Sequence, residues 1–125
     1  MPATILVIED HPTNRDLMHF LLTKSGFRVL LAEDGTRGLE IARRARPDLV
    51  LSDVHMPGLS GFEVVRAMAQ DPDLAAIPII AVTASAMSGD RETMIRAGFH
   101  DYVSKPIEPE TFVAQVARHL PPGPE

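Results

Sequence analysis

Five short apolar runs, each ending on a polar or charged residue and separated by helix-type stretches, constrain this chain more than anything else in it. Ile5-Leu6-Val7-Ile8 stops on Glu9-Asp10, Leu49-Val50-Leu51 on Ser52-Asp53, and Ile79-Ile80-Ala81-Val82 on Thr83. Residues 27–32 and 102–104 complete the set, and the last runs into Lys105-Pro106. Continuous rather than alternating apolar runs are the pattern of strands covered on both faces. Arg28 puts the second of them toward an edge.

The stretches between the runs carry helix signals. Thr13 with Asp16, and Ser60 with Glu63, have the spacing of a capping box, so helices are expected over 13–25 and 61–70. Gly26 supplies the stop of the first. Asp34 can cap a helix over 35–45, which Pro47 keeps from continuing. Asp71-Pro72-Asp73 breaks the third helix. A fourth, over 88–96, closes at Gly98, and Pro109 fits the first turn of a fifth reaching about residue 120. The tail Pro121-Pro122-Gly123-Pro124-Glu125 is expected to be disordered. The domain is therefore expected over 1–120 and the tail over 121–125; Met1 stands just ahead of the first strand, as a native start would place it.

Five strand–helix alternations predict an α/β fold, a parallel five-stranded sheet with helices on both faces. Right-handed crossovers leave few topologies, and the flavodoxin-like (βα)5 three-layer sandwich, with strand order 2-1-3-4-5, is the favoured one. In that order strands 1 and 3 are neighbours at the switch point. Glu9, Asp10 and Asp53 then converge on one pocket, with Thr83 and Lys105 arriving from strands 4 and 5. Three crowded carboxylates repel one another, and no other partner for Glu9 and Asp10 is evident. A divalent cation between them removes the difficulty, and hard oxygen ligands suit Mg²⁺. A carboxylate nucleophile, a metal, an ammonium and a hydroxyl together can accept a phosphoryl group.

Composition narrows the function classes. A chain of 125 residues, 45% hydrophobic, makes one globular domain with a real core. Its net charge of −5 argues against nonspecific nucleic-acid binding, which draws on Lys and Arg. No apolar run approaches the ~20 residues needed to span a bilayer. The absence of cysteine excludes disulfides, thiolate metal sites and cysteine nucleophiles. A cytoplasmic protein, without membrane or nucleic-acid partners, is expected.

Glu9-Asp10, Asp53, Thr83 and Lys105-Pro106, in this order and spacing, resemble the signature of response-regulator receiver domains, the CheY-like family of two-component signalling. The resemblance covers residues 4–120. It implies that Asp53 takes a phosphoryl group from a phosphohistidine on a histidine kinase or histidine phosphotransfer protein. It implies Mg²⁺ held by Glu9, Asp10, Asp53 and the backbone carbonyl of His55. Lys105 would pair with phosphoryl oxygens, Pro106 would follow a cis peptide bond, and the small Ala84 would leave the site open. Thr83 would swing toward the phosphoryl group and Tyr102 would follow inward, switching the helix 4–strand 5–helix 5 surface for protein–protein output. Such a protein catalyses at most its own phosphorylation and dephosphorylation.

Two further implications concern kinetics and partners. His55 and Ser85 would flank the path of the hydrolytic water, and neither is suited to orient it, which implies a long-lived phosphoryl group. On helix 1, Asn14, Leu17, Met18, Leu21 and Ser25 share an arc expected to face the sheet, leaving Phe20 toward solvent. The family docks its kinases largely through helix 1, so Phe20 becomes a candidate partner contact. The output is expected to be that of a DivK-like cell-cycle or chemotaxis regulator, with a receiver excised from a hybrid histidine kinase or larger regulator as the alternative.

Rival classes lack their residues. A haloacid-dehalogenase-type phosphatase needs a second Asp where His55 stands. A flavin binder needs a phosphate loop where Glu9-Asp10 stand. A pseudo-receiver would not keep all five site residues. The remaining histidines follow no zinc spacing: His11 is expected at the rim of the site beside His55, and His19, His100 and His119 as solvated surface groups.

Overall fold

A computed structural model of the chain describes residues 2–84 and 90–120. Its elements are β1 (Thr4–Ile8), α1 (Pro12–Lys24), β2 (Arg28–Ala32), α2 (Gly35–Ala45), β3 (Leu49–Asp53), α3 (Gly61–Gln70), β4 (Ile79–Thr83), α4 (Asp90–Ala97), β5 (Asp101–Ser104) and α5 (Pro109–Ala117). The strands form one parallel sheet in the order β2-β1-β3-β4-β5, as expected, with β2 and its Arg28 at an edge.

Side chains alternate between the two faces of each strand, so a strand apolar throughout feeds two cores. Leu6, Ile8, Val50, Ile79 and Ala81 pack with Leu39 and Ala42 of α2, Val64 and Met68 of α3, and Met94 of α4. Ile5, Val7, Leu49, Leu51, Ile80 and Val82 pack with Met18 and Leu22 of α1 and Phe112 and Val116 of α5. The register carries these strands to a common finish: Ile8 pairs with Ser52, Asp53 with Val82, and Thr83 with Ser104. The residue after Ile8 is Glu9, and the residue after Ser52 is Asp53. Their meeting is a consequence of the register.

Local signals hold at most boundaries. The Asp34 side chain accepts the Arg37 N–H, and Ser60 and Glu63 form the complete reciprocal capping box of α3. Gly26 and Gly98 take φ of +96° and +115° where α1 and α4 end, a region in which a Cβ would be strained.

Four expectations are corrected. The Thr13–Asp16 capping box does not form. Proline suits the first helical position, so α1 starts at Pro12 with His11 as its N-cap, and Thr13 falls inside the helix. The face α1 turns to the sheet is rotated from the expected arc: Met18 and Leu22 are its fully buried residues and Ser25 is exposed. The cause is α5, which packs beside α1 and shares its core with Leu22. Third, α5 stops at Ala117 rather than near 120. There His119 N–H bonds to Val116 O and Leu120 N–H to Ala117 O, tightening the last turn ahead of Pro121. Fourth, β3 continues through Ser52 and Asp53, on which its apolar run was expected to stop. The expected start of α4 at Ser88 lies outside the described residues.

Candidate functional site

The ends of β1, β3 and β5 bring a cation between two buried carboxylates. Glu9 is 0% exposed and Asp53 6%. Lys105 Nζ lies 3.0 Å from Glu9 Oε1 and 3.1 Å from Asp53 Oδ2, donating a hydrogen bond to the latter. Asp10, half-buried, completes a cluster in which one carboxylate oxygen from each of Glu9, Asp10 and Asp53 lies within 4.8 Å of the others. Glu9 was expected to have no partner but a metal; instead Lys105 faces one of its oxygens, and the His11 N–H donates to the other, Oε2, at 3.1 Å.

Each side chain is placed by its own element. Lys105 continues β5, its N–H bonded to Thr83 O at 2.8 Å, and the Lys105–Pro106 peptide is cis as expected. After Asp53 the chain turns tightly: Val54 N–H bonds to Val82 O, Gly61 N–H bonds to Val54 O, and His55 N–H reaches Asp53 Oδ1 at 3.4 Å. Gly61 opens α3 so close to β3 that a Cβ there would lie 2.3 Å from the Asp53 carbonyl oxygen. Only glycine allows this approach, and in the sequence Gly61 marks no more than the start of a helix.

The other expected residues divide. Thr83 is fully buried at the end of β4, and Tyr102 is half-buried against the α2–α4 core. Ala84, Pro106, His11 and His55 are exposed at or beside the rim. Ser85 lies outside the described residues. Phe20 is 59% exposed, as expected, with Lys24 Nζ 5.8 Å from its ring centre. Two histidines expected to be merely solvated are engaged, because strand starts place backbone and carboxylate groups beside them: His100 Nδ1 accepts the Ile79 N–H at 3.2 Å, and His119 Nε2 lies 2.9 Å from Asp101 Oδ2. His19 is exposed.

The electrostatics follow from this packing. Burial pushes the Glu9 carboxyl up to about 7 from its ordinary 4.5, and the Asp53 charge adds to it; the His11 N–H and Lys105 oppose it without cancelling it. Burial alone would lower Lys105, yet the Glu9 and Asp53 carboxylates on either side of it outweigh that and hold the ammonium above its ordinary range. Glu9 Oε1 is buried without a directional hydrogen bond. The 3.0 Å contact with Lys105 is an ion pair by distance. Three hard carboxylate donors within 4.8 Å of one another, one of them with a buried oxygen short of a hydrogen bond, fit Mg²⁺.

Comparison with known proteins decides the family. The response regulator receiver domain family matches residues 5–117. The chain belongs to the receiver family. It is 38% identical over 120 residues to the polar-differentiation response regulator DivK of Brucella anthropi, covering 96% of this chain and 98% of that one. The solved chemotaxis response regulator CheY4 of Vibrio cholerae superposes with a TM-score of 0.91 at 30% identity, over 96% of this chain and 100% of that one. The receiver domain of a sensor histidine kinase from Pseudomonas aeruginosa PAO1, solved with a magnesium ion coordinated in the active-site cleft, gives 0.86 at 35%, over 94% and 97%. This receiver is thus a phosphoacceptor response regulator of two-component signalling. Receivers of this kind are phosphorylated by histidine kinases and pass the signal to other proteins. The receiver domain is in general a signalling switch rather than a catalyst. No helix of the described residues is long and apolar enough to cross a membrane.

Proposed function

We propose that Asp53 is the phosphoacceptor, and that residues 1–120 work as one receiver in the cytoplasm, where a histidine kinase or histidine phosphotransfer protein presents its phosphohistidine. The observation that carries this reading is the Lys105 ammonium seated between two buried carboxylates. An Asp53 oxygen attacks phosphorus, the P–N bond breaks, and its electron pair returns to the donor imidazole, which takes up a proton. Mg²⁺, when bound by Glu9, Asp10, Asp53 and the His55 carbonyl, supplies positive charge for the phosphoryl oxygens.

The chain's own residues do the rest. Lys105 already bonds Asp53 Oδ2, so a phosphoryl group built on that carboxylate would find an ammonium in place. Thr83, at the buried end of β4, would turn its hydroxyl toward the phosphoryl group past the small Ala84. Tyr102, half-buried, would move inward behind it, and Pro106 shapes the chain after Lys105. The α4–β5–α5 surface would carry the change to a protein target. His55 stands exposed at the rim and, with Ser85, would leave the hydrolytic water poorly oriented, so the phosphoryl group should outlast that of fast chemotaxis receivers; a His55→Asn variant that decayed more slowly than wild type would contradict this. Phe20 would contact the kinase.

Incubation with Mg²⁺ and acetyl phosphate should add one phosphoryl group, read by intact mass and lost in Asp53→Asn. Undiminished labelling of that variant would refute the assignment.

A further inference from the structure

Glu9 is tied to α1 twice. The His11 N–H donates to its side chain at Oε2, and Arg15, one turn into the helix, reaches back to donate Nη1–H to its main-chain carbonyl at 3.0 Å. Arg15 N–H in turn bonds to His11 O, so residues 9, 11 and 15 close a ring of hydrogen bonds. The arrangement stands where a cap is missing: His11, the N-cap of α1, makes no side-chain capping bond. On its other side Glu9 is held by its own N–H to Ala32 O. With the main chain pinned at both peptide groups and Oε2 occupied, the orientation of Oε1 toward Lys105 is set.

We propose that Arg15 is a positioning residue for the phosphoacceptor site: its grip on the Glu9 carbonyl fixes how Glu9 presents Oε1 to the divalent cation and to Asp53. The inference rests on Glu9 being a metal ligand. A half-buried arginine near three carboxylates has a simpler role open to it, that of a mere counter-charge, and the two roles differ in sign. A bare cation repels Mg²⁺, so removing it would tighten binding. Removing a brace loosens it. Groups that orient a metal ligand are typically worth ten- to a hundredfold in affinity, and a part-exposed guanidinium–carbonyl bond belongs at the low end, about tenfold.

The test is a calorimetric Mg²⁺ titration of the full chain, with thermal melts in EDTA alongside. Arg15→Ala should bind Mg²⁺ about tenfold more weakly than wild type. Arg15→Lys, which keeps the charge and one donor on a shorter stem, should fall between. In a Glu9→Gln background Arg15→Ala should change affinity by less than about twofold, because two residues acting through one contact are not additive. Binding by Arg15→Ala equal to or tighter than wild type would overturn the proposal, as would an undiminished tenfold loss in the Glu9→Gln background. Failure of wild type itself to bind Mg²⁺ would overturn the reading of Glu9, and the inference with it.

Discussion

The two ends of the sheet each hold a carboxylate beside a basic group, and they treat it in opposite ways. At the carboxyl ends of the strands, Glu9 is sealed from water with Lys105 and the His11 N–H as partners, and its carboxyl rises to about 7. At the start of β5, Asp101 is also partly buried. It receives His119 at 2.9 Å, its neighbour's Tyr102 N–H at 2.8 Å and, more distantly, Gln115 Nε2. Burial there too works to raise the carboxyl, but these hydrogen bonds outweigh it and hold Asp101 below its ordinary 3.8. A carboxylate whose bonds are all made is a clasp, joining α5 to β5. One buried with an oxygen held only by an ion pair is suited to a divalent cation.

The largest effect expected from breaking this contrast is on chemistry. Asp53→Asn should lose acetyl-phosphate labelling completely while melting no lower than wild type, since the change removes one of three mutually repelling carboxylates. Asp101→Asn should label at wild-type stoichiometry. Loss of labelling in Asp101→Asn with an intact fold would mean that the clasp belongs to the site.

Next comes the pH dependence of stability, measured by denaturation without Mg²⁺. Because the Glu9 carboxyl lies above its ordinary value in the folded state, between pH 4.5 and 7 the folded protein holds a proton that the unfolded chain has released. Its contribution is full below about 4.5 and lost as the pH rises through 7, a decline of about 3 kcal/mol. Glu9→Gln should flatten that slope, and saturating Mg²⁺ should restore wild-type stability at pH 8. A slope that survives in Glu9→Gln would show that burial of Glu9 is not its source.

Asp101 should titrate with the opposite sign. Its contribution is present above its ordinary 3.8 and disappears as the pH falls through the lower folded value. Asp101→Asn should therefore destabilise by about 1 kcal/mol at neutral pH and by progressively less in acid. An unchanged difference at the acid limit would mean that the bonds to Gln115 and Tyr102, not the charge, carry the clasp.

The smallest change in stability is expected at Phe20, which belongs to neither end. Exposed on α1, it should lose less than about 0.5 kcal/mol on truncation to alanine. Acetyl-phosphate labelling should persist while transfer from the cognate kinase slows. A loss of ~3–5 kcal/mol would mark Phe20 as core instead.

The sequence by itself determined most of what depends on a residue and its neighbours within one turn, the Thr13–Asp16 pair, displaced by Pro12, being the exception. Apolar runs set the strands, and their abrupt ends on Glu9, Asp53, Thr83 and Lys105 located the site. Asp34 and the Ser60–Glu63 pair made the caps they promised, and Gly26 and Gly98 the stops. Tertiary structure decided the contacts that depend on register and on how one helix lies against another. Leu22 rather than Ser25 faces the core because α5 packs beside α1. His119 looks solvated among its own neighbours, and it meets Asp101, 18 positions earlier, only because α5 runs back along β5. Arg15 looks like any surface arginine until Pro12 starts α1 one residue early and the turn brings the Glu9 carbonyl within its reach. Backbone preferences act locally and leave a mark in the order of residues. The direction of a long side chain across a gap is set by two elements at once, and neither stretch of sequence contains it alone.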